Sequence, residues 1–222
     1  MNIVQKYIPD ALIAKLFMVF YAVGVLLYIL PFTRELFILI TPLTLVLVIF
    51  LVGFYHNRWD LKTILLFAFL AVLSFFIEAV GVSYGTIFGT YQYDSGLGFK
   101  ILNTPIIIGL NWLFLVYASH GIASKITPNK WFIPFLGAGI MVIYDLVLEI
   151  AAPLMNLWHF SGDFPPLQNF TSWFLISFSF HCAFVLFSIK VDNIPARKLF
   201  WIQIVFFALI SLYYYTFIYN CQ

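Results

Sequence analysis

The chain has 222 residues, of which 64% are hydrophobic, 21% aromatic and only 9% charged. A water-soluble domain of this size cannot bury that much apolar surface, so the composition excludes an ordinary soluble protein. The formal net charge of +2 is too small to indicate a nucleic-acid partner. These properties predict an all-α, polytopic helical membrane protein.

Seven apolar stretches are long enough to cross a bilayer, since a transmembrane helix needs about 20 mainly apolar residues. No small-residue cleavage site follows the first stretch, so it is interpreted as a retained span and not as a signal peptide. No linker, low-complexity run or clear repeat divides the chain, which predicts one integral-membrane domain over residues 1–222. The predicted spans are 11–30, 35–55, 63–83, 105–124, 131–151, 171–189 and 198–219.

The distribution of lysine and arginine predicts the orientation, because these residues are enriched in cytoplasmic loops. One side of the membrane would hold nine of these residues, and the other side would hold two. The nine are Lys6, Lys15, Arg58, Lys62, Lys125, Lys130, Lys190, Arg197 and Lys198, and the two are Arg34 and Lys100. We therefore predict a multi-pass protein of the cell (inner) membrane with a cytoplasmic N-terminus. The two longest loops, 84–104 and 152–170, are then external.

Three carboxylic acids lie inside the predicted spans: Glu78, Asp145 and Glu149. A charge in the hydrocarbon region costs at least ~2.5–3.5 kcal/mol, so intramembrane acids indicate a functional site. No lysine or arginine is predicted at their depth, which favours protonatable acids over buried ion pairs. Asp145 and Glu149 are four residues apart and share a helix face. Counting the helical rise places these acids and Asn111 in the outer half of the membrane, where we expect one interior cavity.

A run of glycines and tyrosines follows the first acid. Its glycines, Gly81, Gly85 and Gly89, fit close helix packing of the small-xxx-small kind. They equally fit a span that breaks into a loop over a cavity, with Tyr91 and Tyr93 pointing down, since irregular backbone at membrane depth is tolerated where it lines a cavity.

The remaining polar and aromatic residues of the spans allow two interpretations each. Three tryptophans near the outer boundary form either an interfacial belt or an aromatic wall: Trp112, Trp158 and Trp173. His181 is expected to be a hydrogen-bonded core histidine, and no His, Asp or Glu set has metal-binding spacing. The last span has no lysine between residues 200 and 219, which excludes a retinal Schiff base of the usual rhodopsin kind.

Two long blocks of sequence resemble the CruF-type carotenoid 1,2-hydratases, also known as bisanhydrobacterioruberin hydratases. Together they lie within residues 75–180, the core motif region. The first block is IEAVGVSYGTIFGTYQYDSGLGFKILNTPIIIGLNWLFLVYAS, and the second is YDLVLEIAAPLMNLWHFSGDFPPLQNFTSWF. The second matches a pattern of Asp, a second acid four residues on, Pro, Trp, Pro, Asn and Trp. Here these are Asp145, Glu149, Pro153, Trp158, Pro165 or Pro166, Asn169 and Trp173.

The resemblance implies addition of water across the terminal C1=C2 double bond of an acyclic carotenoid end group. Asp145 is expected to donate the proton, Glu149 to keep Asp145 protonated by like-charge repulsion, and Glu78 to steer the water. The expected substrate-binding residues are Tyr91, Tyr93, Asn111, Trp112, Trp158, Asn169 and Trp173. The substrate would be a lycopene- or γ-carotene-like molecule that enters from the lipid, and no cofactor or metal is expected. Membrane lipid and other carotenoid-pathway enzymes are the expected partners.

Two other functions stay open from the sequence. An integral-membrane enzyme similar to a lycopene cyclase would protonate the same end group but exclude water. A proton-coupled transporter or lipid-binding protein would use the acids as proton relays. No inverted repeat or pair of broken spans supports transport.

Overall fold

A computed structural model describes residues 5, 7–162 and 164–218. Lys6 and the last residue of the predicted span 198–219 lie outside the described residues. In the described part, each predicted span corresponds to one α-helix, so the all-α prediction is confirmed. The helices are α1 Asp10–Ile29, α2 Pro31–Gly53, α3 Leu61–Tyr84, α4 Ile108–Ile126, α5 Ile133–Ala151, α6 Leu167–Leu186 and α7 Ile194–Tyr213, which a π-helical turn, Tyr214–Ile218, extends.

Six of these seven helices are long and apolar enough to cross a membrane, and α4 is the exception. This helix packs against five others: α2, α3, α5, α6 and α7. Because the bundle surrounds it, α4 carries polar residues such as Ser119 and His120, which are buried among its neighbours. A helix shielded in this way does not need an apolar surface toward lipid.

Local sequence signals explain where several helices begin. The Asp60 carboxylate accepts a hydrogen bond from the Thr63 amide (2.9 Å) at the start of α3. Asn193 caps α7 in the same way through the Ala196 amide (2.9 Å). Such caps satisfy amides that have no partner within the helix. Proline occupies the first turn of α2, α5 and α7, where its missing N–H costs little.

The end of α3 depends on two glycines. Gly85 has φ +65° and ends the helix in the left-handed conformation that glycine adopts without a steric penalty. A Cβ atom at Gly81 would lie 2.6 Å from Cδ2 of Phe88. The chain therefore turns at Gly85 and folds back onto α3, with Phe88 packed against Gly81.

Two connections that were predicted only as loops pair with each other. Strand β1 (Tyr91–Tyr93) runs antiparallel to β4 (Trp158–Phe160), with Tyr91 opposite Phe160 and Tyr93 opposite Trp158. A second small hairpin joins β2 (Lys100–Ile101) to β3 (Thr104–Pro105), and a 3₁₀ turn, Pro153–Met155, precedes β4. We call β1 and β4 the ribbon and the end of the bundle beneath them the ribbon end.

The ribbon is amphipathic, because successive strand residues point to opposite faces. One face carries the aromatic rings of Tyr91, Tyr93, Trp158 and Phe160, which close over the helix ends. The other face is polar: Gln92 Nε2 lies 2.7 Å from His159 Nε2, and His159 Nδ1 lies 2.8 Å from Asp94 Oδ2. The ribbon therefore forms a roof with an aromatic inner face and a polar outer face.

Candidate active site

The three intramembrane acids lie in one layer at the ribbon end. Glu78 is six residues before the last residue of α3, and Asp145 is six residues before the last residue of α5, which places both about 9 Å from the helix ends. Asn111 and Asn169 lie in the first turns of α4 and α6 and reach the same layer. Four helices and the ribbon thus converge on one small volume.

Glu78 accepts three hydrogen bonds from aromatic side chains. Its Oε2 accepts one from the Tyr91 hydroxyl and one from the Tyr93 hydroxyl, the latter at 2.8 Å. Its Oε1 accepts one from the indole N–H of Trp112 at 2.7 Å. An indole N–H can only donate, and hydrogen bonds to an ionised carboxylate are about twice as strong as neutral ones. This donor set suits a carboxylate.

The two phenols remain hydrogen-bond donors over a wide pH range. Burial raises the pKa of Tyr91 above its ordinary value, and the negative charge of Glu78 raises it further. Burial and then Glu78 raise the pKa of Tyr93 in the same direction. Both hydroxyls therefore keep their protons and can continue to donate to Glu78.

The second pair of acids is joined by one amide. Asn169 Nδ2 donates to Oδ2 of Asp145 (3.0 Å) and to Oε1 of Glu149 (3.2 Å). The indole N–H of Trp158, on the ribbon, donates to Oε2 of Glu149 at 3.0 Å. Asp145 is completely buried, and its Oδ1 has no hydrogen-bond partner in the described chain. The ion pairs formed by the described residues include none of the three acids.

A cavity of about 20 Å³ lies between Glu78 and Glu149, and we call it the chamber. This is enough space for about one water molecule. Its polar lining comes from both acids, Asn111 and Asn169, and its roof is the aromatic face of the ribbon. The full lining is Glu78, Phe88, Tyr91, Tyr93, Ile108, Asn111, Glu149, Trp158, Phe160, Asn169 and Trp173.

Two of the predicted site residues lie behind the chamber and not on its surface. Trp112 supports it from the second layer, where it donates to Glu78 and stacks on Trp173 with ring centroids 4.3 Å apart. Asp145 is not among the residues that line the chamber, and the Asn169 amide joins it to Glu149. The expected arrangement of all three acids facing one cavity is therefore met by Glu78 and Glu149, whereas Asp145 is one side chain removed.

Sequence analysis missed three lining residues, Phe88, Ile108 and Phe160. Phe160 stacks on Tyr91 with ring centroids 5.3 Å apart. The strand alternation that begins at Trp158 was the available signal, since a residue two positions on shares its face. Ile108 carried no comparable signal, because one more isoleucine in an apolar span is not informative.

The histidine predicted to lie in the core does so. His181 is fully buried; its Nδ1 lies 3.2 Å from Nδ1 of His120, and its Nε2 lies 3.3 Å from the Ser119 hydroxyl. Among the described residues, no group of three or more His, Cys, Asp or Glu side chains could hold a metal ion.

Comparison with known proteins assigns the chain to a family. A family model described as "carotenoid biosynthesis protein" matches residues 35–220, a range that contains every residue of the candidate site. No curated protein and no solved structure matches the chain.

Proposed function

The chain belongs to the carotenoid biosynthesis protein family, and from that premise we propose that it hydrates the terminal C1=C2 double bond of an acyclic carotenoid end group. The observation that carries the proposal is the chamber itself. Two buried acids with different hydrogen-bond partners line one cavity that has space for about one water molecule. Protonation of an isolated alkene followed by capture of water requires an acid, a base and a positioned water.

We assign the proton donor to Glu149. Asp145 and Glu149 share the single amide of Asn169, and the ion pairs of the described residues include neither acid. Each of two neighbouring buried carboxyl groups disfavours ionisation of the other, which favours a pair that retains a proton. Glu149 is the member of the pair that lines the chamber, whereas Asp145 does not. The sequence favours Asp145 as the proton donor. We instead assign that role to Glu149, and Asp145 becomes the neighbour that keeps the pair protonated.

Glu78 is the base. Its three aromatic donors stabilise the carboxylate form, and it faces the same chamber as Glu149. An ionised carboxylate there can orient the water and accept its proton. The amide of Asn111, which also lines the chamber, can provide a further hydrogen bond to that water.

The proposed reaction proceeds in two steps. The π electrons of the C1=C2 bond take the proton of Glu149 to form a new C–H bond at C2, which leaves a tertiary cation at C1. The water oxygen then bonds to C1 and loses a proton to Glu78, giving a tertiary alcohol. One water has been added, and the catalyst is restored when that proton returns across the chamber to Glu149. No oxidant, reductant or cofactor is needed for this balance.

The roof supports the cationic intermediate. The faces of aromatic rings attract cations, an interaction worth ~2 kcal/mol or more where water is excluded. Tyr91 and Tyr93 have ring centroids 5.5 Å apart, and Trp158 packs 5.8 Å from Tyr93. A cation forming beneath these rings would be stabilised by their π systems and by the nearby charge of Glu78.

We further propose that the protein lies in the cell membrane with the N-terminus in the cytoplasm and the ribbon end outside. The excess of lysine and arginine in the loops of the opposite end supports this orientation. A lycopene- or γ-carotene-like substrate would then reach the chamber from the lipid, and other enzymes of the carotenoid pathway would supply it.

The test is expression in cells that accumulate lycopene, followed by chromatography and mass spectrometry of the pigments. Hydration predicts a gain of one water in mass with an unchanged visible spectrum, because the C1=C2 bond is not conjugated. A Glu149→Gln variant expressed at the same level should give no product. A product of unchanged mass with shortened conjugation would indicate cyclisation, and unaltered lycopene with the intact protein would refute the proposal.

A further inference from the structure

A second, larger cavity lies beside the site, in the surface of the bundle. This groove, of about 110 Å³, is formed by α1, α2, α7 and the segment before β4. Its rim includes Phe20 and Val23, whose side chains are 41% and 46% exposed. In a bundle that spans a membrane, such a rim faces lipid and not water.

The groove offers nothing to a polar ligand. The Thr41 hydroxyl donates to the Phe37 carbonyl (2.9 Å), and the Thr44 hydroxyl donates to the Thr41 carbonyl (2.8 Å). The Tyr21 hydroxyl accepts from Gln203 Nε2 at 2.8 Å. The other lining residues are aliphatic, aromatic, glycine or methionine. Because its polar groups are engaged within the protein, the groove suits a purely apolar occupant.

One short segment separates the groove from the chamber. Met155 and Leu157 line the groove, and Trp158, the next residue, lines the chamber and donates to Glu149. The hydrogen bonds that hold this wall include one from the Tyr28 hydroxyl to the Leu154 carbonyl (2.7 Å) and one from the Leu157 amide to the Ala152 carbonyl (2.9 Å). An occupant of the groove therefore lies against Leu157, the chain neighbour of the residue that donates to Glu149.

We propose that this groove binds the apolar end segment of an acyclic polyene and delivers its terminal double bond past Met155 and Leu157 to the chamber. The proposal rests on the proposed hydration and names the path that the substrate takes. The chamber alone has space for about one water, so the hydrocarbon must be held elsewhere. From Phe20 to Leu27, α1 contributes about 10 Å of groove, enough for one end of a long polyene. The rest of the molecule would remain in the bilayer, so recognition would depend on the end group and not on total length.

Binding can be measured without turnover. The Glu149→Gln protein is placed in nanodiscs of saturated phosphatidylcholine, lycopene is added, and induced circular dichroism is recorded in the visible region. Lycopene is achiral and acquires this signal only in a chiral site. Two substitutions fill the groove from different helices, Val23→Trp from α1 and Thr44→Trp from α2. The matched control is Ala22→Trp, the neighbouring residue of α1, which lines not this groove but an adjoining one, formed with α7, that shares Tyr21 and Phe206 with it.

We expect each groove variant to weaken lycopene binding about tenfold, equivalent to ~1.4 kcal/mol, whereas Ala22→Trp binds like its parent. In the active protein, which retains Glu149, the groove substitutions should raise KM more than they lower kcat. Equal binding by Val23→Trp, Thr44→Trp and Ala22→Trp would overturn the inference, because acyl chains of lipid would then be sufficient occupants. Groove-dependent binding without any hydrated product would support the groove and refute the hydratase, so the two failures can be distinguished.

Discussion

The assignment of the proton donor to Glu149 and not to Asp145 can be tested by comparing two conservative variants. Glu149→Gln keeps the shape of the side chain, and its carbonyl oxygen can still accept from Trp158, but it removes the proton facing the chamber. General acid catalysis typically contributes ~10²–10⁴-fold, so the rate should fall by at least that range. Asp145→Asn also keeps an oxygen that can accept from Asn169, and it removes no group from the chamber surface.

We therefore expect Asp145→Asn to retain a measurable rate, reduced by about tenfold, as for an indirect change equivalent to ~1.4 kcal/mol. The assay is the rate of hydrated product formed from lycopene by purified protein in nanodiscs, quantified by mass spectrometry. Size-exclusion chromatography and the thermal midpoint of each variant establish that both are folded. The opposite order, with Asp145→Asn inactive and Glu149→Gln nearly normal, would refute the reasoning from chamber geometry and return the donor role to Asp145.

Three further predictions follow from the roof and the orientation. Tyr93→Phe removes one of three donors to Glu78. Because a hydrogen bond to a charged group contributes ~1.5–3 kcal/mol, kcat should fall by about 10–150-fold. The matched control is Tyr84→Phe, which should have no effect because Tyr84 is 74% exposed. Since the pKa values of both roof phenols are raised, their protonated forms persist as pH rises through about 10, the ordinary phenol value, and are lost only above it. Loss of the phenol protons should therefore cause no decline of the rate between pH 8 and 10, and a decline there that Tyr93→Phe abolishes would contradict this. In a cysteine-free background, a membrane-impermeant thiol reagent should label Phe99→Cys from outside intact cells but Lys130→Cys only after lysis; the reverse pattern would invert the orientation.

The helices could be predicted because each one records its environment locally. A span of about 20 apolar residues indicates a membrane helix whatever surrounds it. The helix α4 was also predicted from its run of apolar residues, although it is the one of the seven helices that is not apolar enough to count as a membrane span. The order of the spans also placed both long loops on one side, because they follow the third and the fifth span, and the two loops do lie together at the ribbon end.

The ribbon could not be predicted, because its two strands are three residues long and lie far apart in the chain. Pairing Tyr93 with Trp158 depends on how four helices bring their ends together, and neither strand has enough residues for a periodic pattern. The same reason explains the position of Asp145. Helical periodicity places it on one face with Glu149, but only the packing of α6 determines that the Asn169 amide joins the two acids.

The size and lining of the chamber also bear on the choice between hydration and cyclisation. Both reactions begin with protonation of the same end group, and they differ in what reaches the tertiary cation. Cyclisation requires a second double bond of the substrate to fold back onto the cation, and water must be excluded. The chamber has space for about one water, and Glu78, Glu149, Asn111 and Asn169 place hydrogen-bonding groups on its walls, so it can hold the nucleophile beside the cation. A cyclase would need apolar walls at these positions, so the polar lining favours capture of the cation by water.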